Sequence, residues 1–254
     1  MFFQKIKKAL VFGVLCAISI ASDAQTTLVA VASNFTKPMT EIAAEFEKAT
    51  GHTAQLSFGA SGKFVAQIEN DAPFDVFLAA DEKNPLALVK AGLGVEDNRF
   101  VYAVGKLVLW SATPNYVDEQ GDILLHGQFT HLALADPKLA PYGAGAIEIL
   151  QSKGLLEKYT PLLVQGENIS QAYQFISTGN AELGFIALSQ VFENEKITSG
   201  SAWIVPQHLY KPINQSAILL KKGAENTAAI ALLNFLKSPP ALAIIQKYGY
   251  GLAK

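Results

Sequence analysis

The chain has 254 residues, 50% of them hydrophobic, 17% charged and 10% aromatic, which excludes disordered and low-complexity classes and suffices for one large domain or two smaller lobes. With 20 Lys and Arg against 22 Asp and Glu the formal net charge is -2, and no basic run follows Lys8. A nucleic-acid or anionic-membrane surface is therefore not expected, and the partner is not a polyanion.

At the N-terminus, Lys5, Lys7 and Lys8 precede an apolar run over residues 9–21 that only Ser19 interrupts, and Ser22-Asp23-Ala24 places small residues before Gln25. This pattern predicts a cleaved secretory signal over residues 1–24 and a periplasmic mature protein. The apolar run is shorter than the roughly 20 residues that span a bilayer, which disfavours a membrane anchor. Cleavage removes the three lysines with Asp23 and leaves the remainder more acidic. It also removes Cys16, the single cysteine, so the mature chain has no disulfide scaffold, Cys-zinc site or Cys nucleophile.

Beyond the signal, short β-branched apolar runs alternate with amphipathic helical patterns, the mark of βαβ units and an α/β fold. The runs predict strands at 27–32, 53–58, 76–80, 101–110, 131–135, 162–165, 183–188, 202–206 and 213–221. Helices fall between most of them. The first has Met39, Ile42, Ala43 and Phe46 on one face and stops at Gly51. The last two, at 226–236 and 240–248, are separated by Ser238-Pro239, a helix stop and restart. No linker divides the chain. A two-lobed arrangement must therefore cross between lobes within the long runs at 101–110 and 213–221.

The four histidines, His52, His126, His131 and His208, are scattered, with no HExxH and no neighbouring cysteine, so none reads as a metal ligand. There is no Gly-x-Ser-x-Gly elbow. Gly59-Ala60-Ser61-Gly62-Lys63 approaches a phosphate-binding loop, but Ser57 stands where its first glycine belongs and Phe64 where the hydroxyl after the lysine belongs. Asp75, Asp81 and Asp136 lie beside predicted strand ends, and their expected role is helix capping. What recurs is a strand ending in small polar residues that lead straight into a helix. It happens at Ala32-Ser33-Asn34, Gly59-Ala60-Ser61-Gly62, Pro141-Tyr142-Gly143-Ala144 and Glu167-Asn168-Ile169. A helix start presents unpaired N–H groups and a partial positive charge, so it holds an anion without a cationic side chain. One such junction reads as an N-cap. Four of them, at strand ends of an α/β chain, point to a shared small anion.

Ala30-Val31-Ala32-Ser33-Asn34, Phe58-Gly59-Ala60-Ser61-Gly62-Lys63, Phe74-Asp75-Val76-Phe77-Leu78-Ala79-Ala80-Asp81, Gly105-Lys106-Leu107-Val108-Leu109-Trp110, Ala135-Asp136-Pro137-Lys138, Pro141-Tyr142-Gly143 and Lys247-Tyr248-Gly249-Tyr250 occur in that order. Taken together, this set resembles the periplasmic molybdate-binding proteins that feed ABC importers, over nearly the whole mature chain. The resemblance implies a two-lobed type II periplasmic binding protein. Each lobe would be a mainly parallel sheet flanked by helices, residues 25–107 with 214–254 forming one lobe and 108–213 the other, with the ligand in the cleft between them. It implies a monomeric, non-enzymatic receptor with no cofactor and no direct metal-cation site, whose ligand is molybdate or tungstate and whose partner is a membrane permease.

The same resemblance assigns the anion to the Ser33 hydroxyl, the Asn34 N–H, the Ser61 hydroxyl and N–H, the Tyr142 phenol and the Ile169 N–H. Many members carry a tyrosine ligand where this chain has Ala187, so the hydroxyl of the second lobe is expected from Tyr142. Ala60, Gly62 and Gly143 would shape the loops, and the terminal Lys247-Tyr248-Gly249-Tyr250 is read as packing. The alternatives are a receptor for another oxyanion such as sulfate or phosphate, and an enzyme on the same scaffold, which the missing nucleophile and base disfavour.

Overall fold

The computed structural model describes residues 24–252, so Cys16 and the export segment, apart from Ala24, lie outside the described residues. The first strand, β1 (Thr26–Ala32), sends alternate side chains to opposite faces. Val29 and Val31 pack with Phe35, Met39, Ile42 and Phe46, while Ala30 packs with Phe64 and Phe77. That two-residue period is what a strand covered on both faces requires. The helix α1 (Thr36–Thr50) buries Met39, Ile42 and Phe46 and ends at Gly51, whose φ of 75° is left-handed and free of strain for glycine.

The chain continues through β2 (Thr53–Gly59), α2 (Ser61–Glu69), β3 (Val76–Leu78), α3 (Lys83–Lys90) and β4 (Gly94–Gly105). After Lys106 it enters a second sheet as β5 (Leu107–Ser111), then runs through α4 (Ile123–His126), β6 (Leu132–Ala135), α5 (Pro141–Ser152) and α6 (Leu156–Tyr159). Next come β7 (Leu163–Gly166), α7 (Ile169–Ser177), β8 (Leu183–Ala187), the small hairpin β9 (Phe192–Glu193) and β10 (Lys196–Ile197), and β11 (Ser201–Ile204). It returns to the first sheet as β12 (Ile213–Leu220) and closes with α8 (Thr227–Phe235) and α9 (Pro239–Lys247). The two sheets have the orders β2-β1-β3-β12-β4 and β11-β5-β8-β6-β7, each flanked by helices, which makes the fold a two-lobed type II binding-protein architecture.

Two expectations need correction. The sheets are mixed rather than mainly parallel. In the first, β1 is parallel to β2 and β3 but β12 is antiparallel to β3 and β4; in the second, β6 is parallel to β7 and β8 but β5 is antiparallel to β8 and β11. Parallel neighbours need a crossover helix, and the strands next to the passage between lobes are joined without one. The run at 101–110 is also two strands in two sheets, broken at Lys106. Its first half begins earlier than expected, at Gly94, because that part of β4 is a sheet edge that pairs with β12 alone. An edge tolerates Glu96, Asp97, Asn98 and Arg99, which gave no apolar signal.

The C-terminal ends of β1, β2, β6 and β7 face the gap between the sheets, and α1, α2, α5 and α7 begin there or one turn later. Open α/β sheets bind ligands at this end of their strands.

Candidate functional site

At the end of β1 the chain makes one 3-10 turn over Ser33–Phe35 before α1 begins. Ser33 and Asn34 are thereby at the start of a continuous helical path, both nearly fully buried. Ala60, extended, precedes α2, and Ser61 is that helix's first residue. In the second lobe, Pro141 opens α5 with its φ already helical, and Tyr142 follows. Ile169 opens α7 behind Asn168, whose side chain accepts hydrogen bonds from the N–H groups of Ser170 and Gln171. That cap satisfies the second and third N–H groups of the helix and leaves the Ile169 N–H uncommitted.

All four junctions meet. Ser33, Asn34, Ser61, Tyr142 and Ile169 line one small cavity between the lobes, together with Ala80 and Ala140. Its volume is about 10 Å³, against roughly 300–1,000 Å³ for pockets that hold drug-sized organic ligands. A drug-sized organic ligand has no room there. No Lys, Arg, His, Asp or Glu side chain is among its lining residues, so the positive character comes from helix starts and oriented N–H groups. A roomier cleft of about 240 Å³ opens beside it, walled by Asp81, Lys83, Lys138, Glu148 and Lys211. Its charges are mixed in sign, so it does not present a concerted field to an anion.

Neither serine acts as an N-cap. No side-chain capping bond forms at the start of the 3-10 turn or of α2. Instead the Ser61 Oγ accepts the Ala80 N–H at 3.0 Å, which leaves the Ser61 hydroxyl hydrogen for another acceptor. The Tyr142 oxygen accepts from Gln215 Nε2 at 3.2 Å, while Asn34 Nδ2, whose two hydrogens go to Gln215 and Tyr250, lies 3.5 Å away. Burial, reinforced by Tyr250, Tyr102 and Tyr210, pushes the Tyr142 phenol well above its ordinary value, so it stays protonated and remains a donor. Gly105 makes this placement sterically feasible, since a Cβ there would lie 2.1 Å from the Tyr142 hydroxyl.

The lobes touch around the cavity. Gly62 N–H donates to the Leu139 carbonyl at 3.0 Å, Ser170 Oγ to the Ser33 carbonyl at 3.3 Å and Ser189 Oγ to the Asn34 carbonyl at 2.8 Å. Lys63 and Glu167 form an ion pair at 2.7 Å across the mouth. The terminal motif does more than pack. The Tyr250 hydroxyl lies 2.9 Å from both the Asn34 carbonyl and Ser189 Oγ and gives its one proton to one of them, while Lys247 reaches Glu41 in the first lobe and Glu193 in the second.

The three aspartates differ from one another. Asp81 accepts the Asn84 N–H at 2.9 Å near the start of α3, as a capping residue does. Asp136 accepts the Lys138 N–H at 2.8 Å in a turn ahead of α5. Asp75 caps nothing, because a strand rather than a helix follows it. Its carboxylate accepts from Thr27 Oγ1, the Leu28 N–H and Asn226 Nδ2 and ties β1 to the start of α8. Ala187 is buried in β8, gives its N–H to Gln190 Oε1 at 3.0 Å, and does not line the cavity. Sequence reading missed Gln215, Tyr102 and Tyr250, which join Asn34 and Tyr142 in one buried hydrogen-bond network. Nothing local marks them, because they come from β12, β4 and the C-terminal segment.

A small cavity lined by helix starts between two mixed α/β lobes defines a solute receptor of the binding-protein class. The family profile described as bacterial extracellular solute-binding protein matches residues 27–251, and the chain belongs to that family. Relatives of similar length include the molybdate-binding protein ModA of Azotobacter vinelandii, 54% identical over 249 residues that cover 98% of both chains. The molybdate-binding protein ModA of Rhodobacter capsulatus is 53% identical, covering 95% of this chain and 93% of that one. Among solved structures, the periplasmic molybdate-binding protein of Azotobacter vinelandii superposes with a TM-score of 0.87 at 41% identity, covering 90% of this chain and all of that one.

Proposed function

We propose that the protein is a periplasmic receptor that captures molybdate or tungstate between its lobes and delivers it to the permease of an ABC importer. The observation that carries this reading is the convergence of four helix starts, all with neutral donors, on one small inter-lobe cavity. In it the Ser33 and Ser61 hydroxyls, the Tyr142 phenol and the N–H groups of Asn34, Ser61 and Ile169 meet the oxygens of a dianion. Hydrogen bonds to charged acceptors are roughly twice as strong as neutral ones. The relatives named for molybdate binding support the choice of ion.

The reading is of a receptor that binds without chemistry, since no base stands beside the cavity's hydroxyls. It places residues 25–105 and 213–254 in one lobe and 107–210 in the other, with Lys106 and Lys211-Pro212 as the hinge; the expected bounds at 107 and 213 each shift, because Leu107 pairs with Ala187 in the second sheet and Ile213 with Gly105 in the first. The receptor acts as a monomer, is exported by residues 1–24, and needs no cofactor. Calorimetry with molybdate, tungstate and sulfate side by side tests it. Tight binding of the two larger anions with weak sulfate binding is the expected result; equal affinity for sulfate refutes the selectivity, and no binding of any oxyanion refutes the receptor.

A further inference from the structure

Gln215 lies fully buried in β12, behind Tyr142 and outside the lining of the cavity. Its Oε1 accepts from Asn34 Nδ2 at 2.7 Å and from the Tyr102 hydroxyl at 3.0 Å, and its Nε2 donates to the Tyr142 oxygen at 3.2 Å. An amide has one accepting and one donating end. Asn34 Nδ2 and the Tyr102 hydroxyl, which also lies 3.3 Å from the Ala79 carbonyl, face Oε1, and Nε2 faces the phenol. A phenol oxygen that accepts keeps its own proton for donation elsewhere, and the Tyr250 oxygen beside it already accepts from Asn34 Nδ2.

We propose that Gln215 is a positioning residue for the ligand: it holds the Tyr142 phenol as a donor aimed into the inter-lobe cavity, so that the anion meets a hydrogen rather than a lone pair. The proposal rests on the receptor reading above. Gly105 belongs to the same device, because its missing side chain leaves room for both groups; a Cβ there would lie 2.1 Å from the Tyr142 oxygen and 3.0 Å from Gln215 Nε2. Burying an amide in the middle of a strand is costly unless every end is met, and here each end is spent on ordering Asn34, Tyr102 and Tyr142.

The decisive variant is Gln215→Glu. A protonated carboxyl reproduces the amide, with a carbonyl that accepts from Asn34 and Tyr102 and an O–H that donates to Tyr142. The carboxylate only accepts, so it claims the Tyr142 proton and places a negative charge behind the anion. The other titratable groups around position 215 are Tyr102 from β4, Tyr142 from α5 and Tyr250 from the C-terminal segment, with Asp81 beyond Tyr102. Burial holds all three phenols above their ordinary values, so they remain protonated and a new pH response belongs to the introduced carboxyl.

Calorimetry with micromolar molybdate is run from about pH 5.5 to 9, a span that contains the raised pKa values of buried carboxyls. Wild-type affinity is expected to stay flat. The Gln215→Glu affinity is expected to fall at least about tenfold as pH rises through the carboxyl's titration, and to return on reacidification. Gln215→Leu should lose affinity at every pH, and that loss should shrink when Tyr142→Phe is already present. A pH-independent Gln215→Glu affinity, or Gln215→Leu and Tyr142→Phe losses that add in full, overturns the proposal. A normal Tyr142→Phe loss with unaltered Gln215 variants overturns the positioning role and leaves the receptor standing; wild-type affinity in Tyr142→Phe overturns both this role and the site assignment.

Discussion

Among the described residues the Tyr142 hydroxyl is the one phenol lining the cavity, and its proposed contribution to the ligand is a single hydrogen bond to a charged acceptor. Such a bond contributes roughly 1.5–3 kcal/mol. Tyr142→Phe keeps the ring in its buried place and should lower molybdate affinity about 10- to 100-fold, at about 1.4 kcal/mol per tenfold, with little change in the melting point of the empty protein. Calorimetry and melting on one preparation check both halves. Ser33→Ala and Ser61→Ala should each lose affinity, but they separate in stability. Ser33 caps no helix, whereas Ser61 is the acceptor for the buried Ala80 N–H, and an unsatisfied buried donor costs about 1–3 kcal/mol. Only Ser61→Ala should melt earlier; equal melting points for the two variants would refute this difference.

At the scale of elements, the site is made of helix starts, and what each leaves unpaired depends on its cap. Asn168 accepts the second and third N–H groups of α7, which leaves the first, that of Ile169, for the proposed ligand. Asp caps as well as Asn, so Asn168→Asp should leave the melting point within about 0.5 kcal/mol of wild type while placing a carboxylate beside a bound dianion. Affinity is expected to fall at least about tenfold at neutral pH, more at low salt than at high, since like charges near a surface repel through a screened field. Calorimetry at two ionic strengths measures it, and unchanged affinity would show that α7 does not address the anion. The sheets hold these starts in place. Edge strand β4 carries polar residues through its first half because only β12 pairs with it, whereas the apolar runs of β1 and β12 are buried on both faces.

For the whole molecule, closure is held by contacts that cross the cleft, of which Lys247 is the most charged. Burial draws the Glu41 carboxyl upward, but its hydrogen bonds from Lys247 and Tyr248 prevail and hold it below its ordinary value. The bonds to Glu41 and Glu193 raise the Lys247 ammonium. A lowered carboxyl contributes stability above its unfolded pKa and loses it as pH falls through the folded one. A raised ammonium contributes below its unfolded pKa and loses it as pH rises through the folded one. The cluster therefore operates between the acid range of Glu41 and the alkaline range of Lys247. Lys247→Met should lower the melting point across neutrality by an amount that vanishes toward acid pH, and should speed ligand release. A deficit that persists below the titration of Glu41 would assign the effect to packing. Ligand binding itself should stabilise the closed molecule by RT ln(1 + [L]/Kd), about 2.7 kcal/mol at a hundredfold excess of molybdate over Kd, read as a thermal shift.

The α/β class, most strand and helix positions and the four polar junctions were legible in the chain because they depend on local rules. Residue period selects strand or helix, and small polar residues mark where a helix opens. The ordered motifs added the resemblance that named Ser33, Asn34, Ser61, Tyr142 and Ile169 together. Local rules carry no information about direction or distance, however. Whether a strand enters its sheet parallel or antiparallel depends on whether a helix or a direct passage precedes it, so the mixed sheets and the break at Lys106 appeared only in three dimensions. The same limit hid Gln215, Tyr102 and Tyr250. Each is an ordinary polar residue in its own segment, and it is the tertiary structure, by packing β12, β4 and the C-terminal segment against α5, that makes them a network with one proton left to give.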